Sequence, residues 1–209
     1  MSVRYGISLI LEPAFTAGLH RARQVICSQY GCWAAEMHSV HVPLTDYFDC
    51  PEEEAPSLGV ILGKIAEEFR GEQQGAFLAR KRTVAETDDK GSVYLAFADG
   101  AGLTAEAGAI GLLRADIAEA LSRLNLMVGG YAPVLRFALL QHSGLPSEVF
   151  RSAARFAEGV VNGLQLSSQV SVSELALFRF ESDAANEEWS EGSWASDLSW
   201  RMVNSYELS

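Results

Sequence analysis

Apolar residues recur along this chain at two periods, close to two and close to 3.6, and the switches between them mark out the elements. From Arg4 to Leu11 the pattern sets Tyr5, Ile7, Leu9 and Leu11 on one face of an extended segment. Glu12-Pro13 ends that segment, and Phe15, Leu19, Ala22 and Ile26 follow at helical spacing, with proline at the first turn, where its missing N–H costs nothing. Gly31 closes the helix. Met37 to Phe48 is extended again, with Val40, Val42 and Leu44 on one face and His41, Pro43 and Thr45 on the other. After Pro51, the residues Leu58, Ile61, Leu62, Ile65 and Phe69 oppose Lys64, Glu67 and Glu68, which predicts a second amphipathic helix.

The runs 75–86 and 92–98 flank the polar, glycine-ended segment Thr87 to Gly91 and predict a β-hairpin. Its Arg80-Lys81-Arg82 run, the densest basic patch, reads as charge that discourages strand pairing between molecules. Ile110, Leu113, Ile117, Leu121 and Leu124 predict a third helix, Pro133 to Gln141 a strand, and Phe150, Ala153, Ala157 and Val160 a fourth helix. Val170 to Phe180 and Ser199 to Glu207 are closing strands. The order is β-α-β-α-β-β-α-β-α-β-β. Its two halves are alike, each with a helix leading into an apolar strand and a helix after it. If they face one another, His41 and the Pro133 to His142 strand lie on opposite walls of one cleft.

Composition narrows the function. Across 209 residues, 16 Lys and Arg face 27 Asp and Glu, a net charge of -11. Affinity for a polyanion comes from basic groups neutralising phosphates, so a long nucleic-acid duplex is excluded as a partner, while a small phosphorylated ligand in a local pocket is not. Cys27, Cys32 and Cys50 lack the paired spacings of a zinc site, so neither a disulfide framework nor a metal is expected, and Cys27 reads as a core residue. No run approaches the roughly 20 apolar residues of a membrane span, and the first residues do not form a secretion signal, which leads us to expect a cytoplasmic protein without membrane contact. Between Arg179 and Arg201 every charge is acidic. That loop is expected to be solvated, with Trp189 and Trp194 either stacking on a base or pinning the loop to its own domain.

In element order, in the segment His41-Val42-Pro43-Leu44 and in the late strand Glu174 to Phe180 followed by Ser182, the chain resembles the two-histidine phosphoesterase superfamily, which includes the RNA 2',3'-cyclic phosphodiesterases known as 2'-5' RNA ligases. The resemblance implies an α+β fold over residues 1–209, with two pseudo-symmetric lobes, each an antiparallel-rich sheet with helices outside, and a central cleft. In that family each half supplies a His-x-Thr or His-x-Ser motif. One imidazole takes a proton from the attacking oxygen, the other protonates the leaving oxygen, and the hydroxyls hold the phosphate.

Here His41 matches the first histidine, but Pro43 stands at the hydroxyl position, and in the second half Arg136 and Ala138 occupy the histidine and hydroxyl positions. The resemblance makes His41 and His142 the catalytic candidates, with Arg136 and Thr45 binding phosphate. Arg136 stays protonated and cannot relay a proton. His142 reaches the cleft if its strand runs that far, or else belongs to the turn with Ser143-Gly144. His38, of opposite parity to His41, is expected to be structural or at the surface, and His20 solvent-facing. The implied function is recognition of a small nucleotide or cyclic phosphate ester without a cofactor, with hydrolysis by histidine acid/base chemistry. The alternative is a non-catalytic descendant that keeps the cleft for a ligand or a protein. Neither the substrate nor the oligomeric state follows from the sequence.

Overall fold

Eleven elements follow one another in the order read from the sequence: β1 (Ser2–Leu11), α1 (Pro13–Tyr30), β2 (Val42–Pro43), α2 (Ala55–Glu72), β3 (Phe77–Glu86), β4 (Ser92–Asp99), α3 (Ala109–Arg123), β5 (Leu135–Leu140), α4 (Ser147–Gly163), β6 (Gln169–Ser182) and β7 (Ser199–Glu207). The computed structural model describes residues 1–72, 76–86, 91–99, 108–126, 135–185, 189 and 193–209. Most of the hairpin turn, 87–90, and the start of the predicted fifth strand, 133–134, lie outside them.

All the strand pairs are antiparallel, in the order β2-β1-β6-β3-β4-β5, with β7 also on β6. The fold is α+β with four α-helices. β6 is the shared strand: Gln169 to Ser171 pair with β3, and Glu174 to Glu181 pair with β7. A bulge makes this double duty compatible with burial. Opposite Ile10 and Leu11 the register steps from Glu174 to Val172, so Ser173 is an extra residue. One extra residue exchanges the two faces of a strand. Val170 and Val172 before it, and Leu175 and Leu177 after it, therefore all reach the main core.

That core lies under the helices. It takes Tyr5, Ile7, Leu9 and Leu11 from β1, as the alternation predicts, with Leu19, Ile26, Leu62, Ile117 and Phe137 among its other members. α2 packs against β7 through Gly59 and Gly63, where a Cβ would stand 2.9 Å from Asn204 Oδ1 and 3.0 Å from Tyr206 Cε1. The absent side chains let the strand come close. The opposite face of β6 carries a second, smaller cluster of Ala176, Phe178 and Phe180 with Trp189, Trp194 and Leu198. The acidic loop is thus anchored from within, a correction to the solvated loop expected from its charge. Trp194 is 1% exposed, its Nε1–H donates to the Trp189 carbonyl at 2.9 Å, and the Trp189 Nε1–H donates to Ser2 Oγ at 2.7 Å. Arg80-Lys81-Arg82 falls on another bulge, where β3 parts from β6.

The Met37 to Phe48 stretch departs most from its reading. Ala34–Met37 is a 3-10 turn and only Val42–Pro43 forms a ladder; beyond it the segment follows β1 at intervals, with the Leu44 N–H donating to the Ile7 carbonyl and Phe48 bridging Tyr5. Its conformation is held by a buried charge. Arg23 stands on the core-facing side of α1, over the Phe137 ring, and donates to the His38 carbonyl at 2.8 Å and the Ser39 carbonyl at 3.3 Å, with Glu36 at 3.3 Å. Burial lowers its pKa and Glu36 opposes that shift. Removing one partner of a buried pair leaves the other charge uncompensated, so Arg23→Met should lower the unfolding free energy by about 3 kcal/mol. Chemical denaturation measures this, and a midpoint equal to wild type would show that Arg23 does not hold the segment.

Candidate functional site

Two small residues of β1 face the aromatic side chains of β6. Gly6 and Ser8 lie on the strand face away from the main core, opposite Phe178 and Ala176 of β6, and a Cβ on Gly6 would meet the Phe180 ring at 3.2 Å. The His41 ring contacts the same β6 face, 5.4 Å from Phe178 and 6.5 Å from Phe180 between ring centroids. Its Nδ1 lies 2.9 Å from the Ser39 carbonyl and 3.0 Å from Ser39 Oγ. A proton on Nδ1 donated to that carbonyl leaves Nε2 as the acceptor, the tautomer a general base needs. His41 keeps part of its surface accessible but is densely surrounded, and burial lowers its pKa to about 4, against the raising effect of the Ser39 hydrogen bond. At neutral pH it is uncharged.

His38 joins His41 instead of facing away. It is 8% exposed, with its ring 5.9 Å from His41 and 4.6 Å edge-on to Trp194. The Tyr47 hydroxyl lies 3.2 Å from its Nε2, and burial pushes that phenol's pKa upward. Burial also takes His38 well below the usual histidine range, helped by the charges of His41, Arg23 and His142. The parity argument failed for His38 because the chain turns there.

His142 reaches the cluster from the other end of the fold. β5 stops at Leu140, and His142 sits in the following turn with φ 46°, its N–H donating to Ser92 Oγ at 3.3 Å. It is therefore a turn residue, the second of the two alternatives read from the sequence, and its ring stands 5.3 Å edge-on to Trp194. His38 and His41 from one segment and His142 from another thus come to one aromatic patch. His20 is exposed on α1, as expected.

The two phosphate-binding candidates are placed differently. Thr45 is 4% exposed, and its Oγ1 accepts the Ile7 N–H at 3.0 Å. Its hydroxyl is committed to joining the His41 segment to β1. Arg136 lies beside Ala138 on the less buried face of β5, ion-paired with Glu86 and 4.1 Å above the Tyr94 ring. Asp46, next to Tyr47 in sequence, has its carboxyl pKa raised by burial and lowered in part by Arg136 and Arg114. Among the described residues no group of three or more His, Cys, Asp or Glu side chains is arranged to hold a metal. Nor is any helix there long and apolar enough to cross a membrane. Cys27 is buried, with its thiol pushed up to about 12 by burial.

Sequence reasoning missed Arg23, Glu36 and Tyr47, and assigned His38 no part in the site. One signal was available: Arg23 falls four residues after Leu19 on the apolar stripe of α1, and a charge on a core-facing stripe requires a partner.

No family model matches the sequence, and no curated protein matches it. Solved structures do. E. coli LigT complexed with 3'-AMP matches with a TM-score of 0.59 at 12% identity, over 99% of this chain and 98% of that one. The apo form of E. coli LigT matches with 0.56 at 11%, over 100% and 99%. A further phosphoesterase crystal structure matches with 0.52 at 12%, over 100% and 99%. The chain has the LigT fold over 99% of its length.

Proposed function

We propose that the protein recognises a small phosphate ester of nucleotide size in a cleft between two lobes, one built on β2, β1, β6 and β7 and the other on β3, β4 and β5. The observation that carries this reading is the convergence of His41 and His142, from the two halves of the chain, on the patch around His38 and Trp194. It is supported by the LigT structures, which hold 3'-AMP, phosphate, NADP+ or ATP. In this reading His41 and His142 meet the phosphate, Arg136 adds positive charge at the rim, and Thr45 acts by holding the His41 segment in place. No cofactor is required, since the histidines themselves supply the proton transfers.

The catalytic form of the proposal is hydrolysis of a 2',3'-cyclic phosphate. His41 Nε2 takes the proton of the attacking water, and His142, protonated in the complex, gives a proton to the departing ribose oxygen. An anion beside a buried imidazole favours its charged form. The second reading, a non-catalytic binder, is favoured by Pro43 and Ala138 at the positions where the fold's enzymes carry hydroxyls.

Turnover of 2',3'-cyclic AMP separates the two. For an enzyme, His41→Ala and His142→Ala should each cut the rate about 100- to 10,000-fold while changing binding far less. A wild type that binds this ligand without hydrolysing it is a binder. A normal rate in His142→Ala would remove that residue from the chemistry.

The cluster also sets a pH dependence. With His41 titrating near 4 when free, binding of an anion must take up a proton at neutral pH. Sulfate remains a dianion over this range, so its affinity should rise as pH falls from 7 toward 4, by up to about tenfold per unit for each proton taken up. His41→Gln should flatten that slope in calorimetric titrations. Equal sulfate affinity at pH 7 and pH 5 would place the anion elsewhere.

A further inference from the structure

We propose that Trp200 and Met202 of β7 form the shelf on which the base of a nucleotide ligand stacks. The proposal rests on the phosphate-ester reading of the histidine cluster and adds the part of the ligand that the cluster does not address.

Trp200 lies opposite Phe180, and Met202 opposite Phe178, on the face of the sheet that carries His41. The Trp200 ring stands 5.7 Å edge-on to Phe178, whose other neighbour is the His41 ring at 5.4 Å. Two ring contacts in series separate Trp200 from His41, roughly the reach of a nucleotide from base to phosphate. The shelf and the imidazole thus suit the two ends of one ligand.

Exposure distinguishes these two residues from the rest of that face. Phe178, Phe180, Trp189 and Trp194 are all at least 95% buried, whereas Trp200 is 42% and Met202 48% exposed. Scattered exposed apolar side chains are ordinary, but this pair is adjacent on one strand and continuous with an aromatic row that ends at a histidine. α2 does not cover it, because α2 packs on the opposite face of β7, where Tyr206 donates to the Gly59 carbonyl. Trp189 and Trp194, the stacking candidates read from the sequence, are sealed inside the loop by their own Nε1–H bonds. An indole face takes any base, since every base has a π-face, and a methionine thioether adapts to the ring edge.

Calorimetric titration of wild type, Trp200→Ala and Trp200→Phe with 3'-AMP and with inorganic phosphate tests the shelf. Stacking on one aromatic side chain corresponds to about tenfold or more in affinity. Trp200→Ala should therefore weaken 3'-AMP binding by about that factor and leave phosphate binding unchanged, and Trp200→Phe should restore most of the loss. Wild-type affinity for 3'-AMP in Trp200→Ala overturns the shelf and leaves the phosphate reading standing. A fall of equal size for both ligands also overturns it, since the effect is then not on the base. If wild type binds neither ligand, the phosphate-ester reading fails and the shelf fails with it.

Discussion

β1 and β6 pair along the whole of β1, and every other strand is attached directly or through a neighbour to one of these two. A strand in that position has no solvent face to spare. β1 answers with large apolar residues toward the helices and Gly6 and Ser8 toward the other side, where Phe180 closes on Gly6. β6 answers with the Ser173 bulge, which lets a valine pair and a leucine pair, out of phase by one residue, share the main core. The candidate site is therefore a consequence of sheet pairing: it occupies the face of β1 and β6 that the helices leave open.

The electrostatics of that face follow from its burial. Imidazole rings surrounded by Phe178, Phe180, Tyr47 and Trp194 have little water to stabilise a positive charge, so burial is the leading cause of the lowered pKa of both His38 and His41. Arg23 adds to this. Its guanidinium remains charged because Glu36 and two backbone carbonyls surround it, and its field disfavours a second cation nearby. The same carbonyl of Ser39 that accepts from Arg23 also accepts from His41 Nδ1, so one backbone atom ties the orientation of the imidazole to the buried ion pair. A change at Arg23 acts on the site by moving Ser39.

Much of the fold was legible because period-two and period-3.6 patterns report burial, and the apolar stripes of β1, α1, α2 and α3 are the faces that are buried. β7 was read to its residue bounds from Ser199 to Glu207. What the pattern could not convey is where a strand ceases to be one. Met37 to Phe48 alternates in sequence, yet its hydrogen bonds go partly to the edge of β1 and partly to Arg23, and only Val42 and Pro43 remain in a ladder. Parity consequently did not convey that His38 is buried beside His41. His142 was harder still, because its ring is placed by a left-handed turn after β5, a conformation that depends on the chain that follows. The burial of the acidic loop's tryptophans was hidden by the charge around them. Net charge describes a segment's solvation, while Trp189, Trp194 and Leu198 describe its anchoring.

The exchange of Pro43 and Ala138 for hydroxyls alters what the face can recognise. A phosphate held by two imidazoles and two hydroxyls is gripped through hydrogen bonds. Pro43 and Ala138 offer no hydroxyl, and the guanidinium of Arg136 already faces Glu86 and the Tyr94 ring. In a chain of net charge -11, long-range attraction of an anion is unfavourable as well. Affinity on such a surface has to come from short-range terms: proton uptake by neutral histidines and contact with aromatic rings. Both favour a ligand that brings a flat apolar body along with its phosphate, since the anion alone gains little from Phe178 or Trp200. In the proposed reading, a nucleotide brings both a phosphate for the histidines and a ring for that face.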